Sequence, residues 1–105
     1  MAAALEVHTT FASHDEAVQA ARTLVAERLC ACAQVVPGLT SIYIWEGMLR
    51  HEEEVLVLLK TTPLAWPQLR DRLTELHSYE TPEIIALPVE NSTFEYLTWV
   101  KEQTR

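Results

Sequence analysis

Leu5, Val7, Thr9 and Phe11 alternate with Glu6, His8 and Thr10, the period-two pattern of a strand with one covered face. Ser13, with Glu16 three residues on, forms a capping-box pair. Ala17, Ala21, Leu24 and Val25 then recur at helical spacing, which predicts a helix to about Leu29. "ACAQVVPGLTSIYIWEG" reads as two strand halves joined at Pro37-Gly38, a pair that bends or bulges a strand rather than ending it. Gly47 opens a polar stretch, and "VLVLLKT" (Val55 to Thr61) closes a long antiparallel hairpin. Thr62-Pro63 starts a second helix, with proline at its first position, and Trp66, Leu69, Leu73 and Leu76 carry it to about His77. "EIIALP" is a short apolar strand. Ser92 and Glu95 repeat the capping pair and open a short last helix through Trp99 and Val100.

The order β-α-β-β-α-β plus a terminal helix predicts an α+β fold of the ferredoxin-like, split βαβ kind, one domain over residues 1–105. Helices on one face of such a sheet call for strands that alternate apolar and polar. "VLVLLK" does not alternate. In "SIYIWEG", Ser41, Tyr43 and Trp45 fall on one face, and Ile42, Ile44 and Glu46 on the other. Strands apolar on both sides are covered on both sides, and a chain of 105 residues has little left for a second cover. A second copy of the chain supplies it most economically, so the sequence predicts a homo-oligomer.

Composition narrows the function. At 49 % hydrophobic residues the chain is an ordinary globular domain, and a formal charge of −7 argues against nucleic acid or an anionic membrane as partner. No apolar run approaches the roughly 20 residues of a membrane span. "MAAALEVHTT" lacks the basic start of a secretory signal, so a soluble, cytoplasmic protein is expected. Without such a signal the sequon Asn91-Ser92-Thr93 is expected to stay unmodified. Cys30 and Cys32 are too close to close a meaningful loop and are expected as free thiols. Two glycines in the whole chain exclude the usual phosphate-cradling loops. A Cys32, His77 and Glu83 set can be written down as a nucleophilic site, but it has no local signature, and no enzyme activity is expected.

Taken together, "CACAQVVPGLTSIYIWEG", "VLVLLKTT", "LHSYETPEIIALPVENS" and "YLTWV" resemble the CutA family of divalent-cation tolerance proteins, collinearly and over nearly the whole chain. The resemblance implies a ferredoxin-like subunit in a homotrimer, with hairpin strands pairing across subunits and clefts between neighbours. It implies a role in tolerance of divalent cations, chiefly copper, by binding rather than catalysis. The architecture is also similar to that of PII-type signal proteins, whose inter-subunit clefts would take a small metabolite. The family pattern falls on Cys32, Pro37, Gly38, Thr40, Ser41, Tyr43, Trp45, Glu46, Gly47, Lys60, His77, Tyr79, Pro82 and Glu83. Departures are Ser78, where the family has proline, and Cys30, where it has alanine. The family's proposed copper ligands correspond to Thr9, Leu76 and His77, so one of three ligand types survives.

The candidate sites follow. Tyr43, Trp45, Glu46, Lys60 and Glu83 are expected to line an inter-subunit cleft; Glu46 and Lys60 could instead pair across the hairpin. His77 ends the second helix, where a cation would suit the helix dipole and a neutral imidazole could take Cu(II) or another divalent ion. Cys32, with Cys30 at i, i+2 spacing, could offer thiolates to a soft ion, although buried thiols are the commoner outcome. His8 is expected at the surface or an interface, and His51 with Glu52, Glu53 and Glu54 as a solvated hairpin tip.

Overall fold

The computed structural model describes residues 2–105. The elements are β1 (Ala4–Phe11), α1 (His14–Ala26), β2 (Cys32–Trp45), β3 (Met48–Thr61), α2 (Trp66–Leu76), β4 (Ile84–Val89) and α3 (Phe94–Gln103). The strands form one antiparallel sheet in the order β2-β3-β1-β4. Thus β1 and β2 run parallel with β3 between them, and β3 and β4 run parallel with β1 between them.

Period two in the strands builds the core. Val7, Phe11, Val55, Val57 and Leu59 project from one face of the sheet onto Ala17, Ala20, Ala21 and Leu24 of α1 and Leu69 and Leu73 of α2. Each fully buried side chain of this size stabilises the fold by about 1.5–3 kcal/mol. The second face carries α3 at one end, where Leu97 and Val100 pack on Ala4, Ala31 and Val89. Beyond α3 that face is open, with Ile85 and Leu87 exposed.

The helix ends show where local signals hold and where they yield. Ser13 Oγ accepts from the Glu16 N–H at 3.2 Å, as expected. The Glu16 carboxylate does not reach back to Ser13; it accepts from the Ser78 N–H at 3.1 Å and ties the start of α1 to the loop after α2. α1 stops three residues short of the expected Leu29. Arg28 adopts φ 60°, and the Leu29 N–H reaches the Leu24 carbonyl while the Arg28 N–H reaches that of Val25, which is a Schellman ending. α2 begins at Trp66, not Pro63. A helix begun at Pro63 would carry Pro67 into its interior, whereas the later start puts Pro67 in the first turn. Thr62 Oγ1 still caps the preceding turn, accepting from the Ala65 N–H at 3.2 Å. The cap of α3 is Thr93 instead of Ser92.

Pro37-Gly38 forms a bulge. Val36 pairs with Leu56 and Leu39 with Glu54, three steps on β2 against two on β3. This switches parity along β2. Ala33 and Val35 face the helices before the bulge; after it Ile42 and Ile44 take that side, and Ser41, Tyr43 and Trp45 take the other. The strands join through Glu46-Gly47, both at positive φ, the two-residue turn that matches strand twist. β1 pairs with β3 only from Val55 to Thr61, so residues 39–54 project past the sheet as a two-stranded ribbon. The molecule measures 44 × 25 × 23 Å as a result.

Candidate functional site

The ribbon carries an apolar load that no other described residue of the chain covers. Ile42, Ile44, Met48 and Leu49 are 63–73 % exposed, and Tyr43 and Trp45 on the opposite side from the isoleucines are 40 and 44 % exposed. An isolated two-stranded hairpin is marginal in water and gains stability from a further strand or a packed face.

The five residues expected to line a cleft are spread along the molecule. Tyr43 and Trp45 lie on the ribbon, Glu46 in its turn, and Glu83 is exposed just before β4. Lys60 lies at the other end of β3, opposite Cys32, a dozen residues or about 40 Å from Met48. One chain therefore does not bring the five together, and Glu46 does not pair with Lys60. Lys60 Nζ instead donates to Gln34 Oε1 at 2.9 Å and meets Glu6 Oε1 at 3.3 Å, while Glu6 Oε2 bonds His8 Nε2 at 2.7 Å. This polar ladder runs across β2, β3 and β1 on the open face. The bond from His8, helped by Lys60 and opposed by burial, holds the Glu6 carboxyl below its ordinary value.

One chain does not bring Cys32 and His77 together either. Cys32 sits at the Lys60–Glu6 end of the sheet, with Sγ 3.6 Å from the Tyr96 hydroxyl. Burial and that contact push Tyr96 up to about 12. His77 sits at the Thr10 end, and four residues of β1, about 13 Å, separate the two positions. The His77 ring is buried and stacks on Phe11 at 4.2 Å. Its Nε2–H donates to the Thr10 carbonyl at 2.7 Å, and Nδ1 accepts from the Tyr79 N–H at 3.1 Å. With Nε2–H donating and Nδ1 accepting, neither nitrogen keeps a free lone pair for a metal ion. Thr9, another of the three positions matched to a proposed ligand, is fully buried, and its Oγ1 has no hydrogen-bond partner among the described residues. Cys30 lies in the core, where burial pushes its thiol up to about 12 and suppresses the thiolate. Among the described residues no group of three or more His, Cys, Asp or Glu side chains is placed to hold a metal ion. The described residues of one chain therefore do not by themselves assemble a copper centre.

Glu54 was missed in the sequence, where it belongs to a charged run. It is 8 % exposed and accepts a hydrogen bond from Tyr79 Oη at 2.8 Å. Phe11, His77 and Tyr79 form a stack that delivers the phenol to it. Burial, and then the Glu54 carboxylate, raise the Tyr79 pKa well above its ordinary value and keep it a donor. The sequence signal that could have found Glu54 is its position opposite the bulge, where the ribbon joins the sheet. An open apolar groove of about 700 Å³ also lies between α1 and β2, lined by Val18, Ala21, Val25, Ala33 and Val35, and no predicted site residue lines it.

Residues 5–103 match the sequence profile of the CutA1 divalent ion tolerance protein family. A divalent-cation tolerance protein CutA from Thermus thermophilus is 48 % identical over 95 residues, covering 90 % of this chain and 92 % of that protein. The human protein CutA is 44 % identical over 88 residues, which span 84 % of this chain and 49 % of that longer protein. The solved structure of a divalent cation tolerance protein from Thermus thermophilus superimposes with a TM-score of 0.94 at 46 % identity, covering 97 % of this chain and 99 % of that one. CutA1 from Oryza sativa superimposes with a TM-score of 0.95 at 33 % identity, covering 99 % of this chain and 95 % of that one.

Proposed function

From the premise that the chain belongs to the CutA1 family of divalent ion tolerance proteins, we propose that it serves tolerance of divalent cations, copper foremost, as a cytoplasmic homotrimer of ferredoxin-like subunits that binds and does not catalyse. The observation that carries the assembly is the ribbon, whose isoleucines, Leu49 and Met48 stand in solvent on a single chain. Covering them removes apolar area at about 25 cal/mol per Å², and a closed ring of three lets each ribbon lie on a neighbour without leaving an open end.

Because one chain groups no three metal-ligating side chains among its described residues, a copper site would be completed between copies. Tyr43, Trp45, Glu46 and Glu83 of one chain with Lys60 of another then border the cleft. Native mass spectrometry of metal-free protein, before and after substoichiometric Cu(II), tests this. A trimer that takes up a fixed number of ions per particle supports it. A monomer, or a trimer with only a scatter of weak adducts, contradicts the assembly or the copper site respectively.

A further inference from the structure

Glu54 stands at the root of the ribbon, 8 % exposed, and among the described residues its carboxylate takes a single hydrogen bond, from Tyr79. An ionised carboxylate offers about four acceptor positions, and a buried charge is tolerated when an opposite charge meets it. Tyr79 stays protonated and brings no charge. Among the described residues no basic side chain forms an ion pair with Glu54.

The cations elsewhere are mostly engaged. Lys60 meets Glu6, Arg70 meets Asp71, Arg72 meets Glu27, and Arg28 donates to the carbonyls at the end of α3. Arg22, Arg50, Lys101 and Arg105 are left without a side-chain acceptor among the described residues. Arg22 lies on α1, Lys101 on α3 and Arg105 at the chain end. Arg50 is the one Lys or Arg in residues 39–54. It pairs in register with Tyr43, on the ribbon face that Glu54 shares. Four residues of strand hold the two Cα atoms about 13 Å apart, so the pair does not close within one chain.

We propose that the Glu54 carboxylate receives the Arg50 guanidinium of a second copy of this chain, an inference that rests on the ribbon being the interface. Association strips the last water from Glu54, so the covering surface must bring a positive charge, and the ribbon has one to bring. A guanidinium also suits the place. Its planar fork matches a carboxylate through two bonds, and its face stacks on phenol rings such as those of Tyr43 and Tyr79.

Sedimentation equilibrium over a range of concentrations, on the parent chain, Glu54→Gln, Arg50→Gln and the double variant, tests the pair. Each single change raises the dissociation constant about 30-fold or more, and the double variant is no weaker than the worse single. Arg50 is exposed on one chain, so its replacement leaves the fold intact and reads the interface alone. An Arg50→Gln variant as tight as the parent overturns the pairing, as do losses that multiply in the double variant. A parent chain that stays monomeric throughout overturns the oligomer itself, whereas a tight parent insensitive to Arg50 overturns this inference only.

Discussion

Replacing His77 separates a structural pin from a metal ligand. The ring holds the Thr10 carbonyl through Nε2 and the Tyr79 N–H through Nδ1, at 2.7 and 3.1 Å, and stacks on Phe11 with an interplanar angle of 11°. His77→Ala strands both backbone groups. Leaving a buried polar group unpaired costs about 1–3 kcal/mol, and Tyr79 is only part-buried, so its share falls at the low end. Loss of the stack adds about 0.5–1.5 kcal/mol. The sum, about 2.5–5.5 kcal/mol, is a large part of the roughly 5–15 kcal/mol that holds a domain of this size. It should lower the melting temperature by at least about 10 °C. His77→Phe keeps the stack, loses both hydrogen bonds and should fall between. Melting is followed by circular dichroism at one protein concentration, because association also shifts it, and Cu(II) uptake is measured on the same samples. An alanine variant that melts within about 2 °C of the parent, with copper uptake abolished, would refute the structural assignment and restore His77 as a ligand.

Three further outcomes follow from the same geometry. Trp45→Ala should weaken association by about 2 kcal/mol or more, as large aromatic anchors do; sedimentation showing an unchanged oligomer would remove Trp45 from the interface. Arg28 holds φ 60° and donates to the Glu102 and Gln103 carbonyls. Arg28→Ala loses the bonds and keeps the strained backbone, so it should unfold in less urea than Arg28→Gly by a margin of about 1 kcal/mol, and the reverse order would count against the strain. Glu6 has a folded pKa below the ordinary 4.5. Its contribution is full above that value and is lost as pH falls through the lower one, so Glu6→Gln should flatten the acid side of the stability profile; parallel profiles would exclude the ladder as a source.

The elements that depend on neighbours in sequence were legible. Ser13 caps α1, Pro37-Gly38 bulges β2, and the glycine after Glu46 closes the hairpin, each from contacts within a few residues. The start of α2 was misplaced because Thr62-Pro63 looked sufficient, and the veto came from Pro67 four residues later. What escaped depends on distant residues. His77 owes its pinned ring to Thr10, 67 residues away. Glu54 is buried because the loop after α2 lays Tyr79 over it, so three consecutive glutamates that look alike in sequence include one with a different environment. Arg28 fills a left-handed position that usually signals glycine, and its clasp on α3 spans 74 and 75 residues. The alternative that Glu46 and Lys60 pair across one hairpin came from residue type; the strand register puts Lys60 at the opposite end, beside Glu6 and Gln34.

Amide hydrogen exchange of the native protein tests most directly whether residues 39–54 are covered by another copy. In a lone chain this ribbon lies beyond the reach of β1, and its amides should exchange nearly as fast as those of a free hairpin. Covered in the assembly, they should be protected about as strongly as those of β1 and should lose that protection on dilution below the dissociation constant. Fast exchange across Ile42 to Leu49 at high protein concentration would contradict the assembly on which the functional proposal stands.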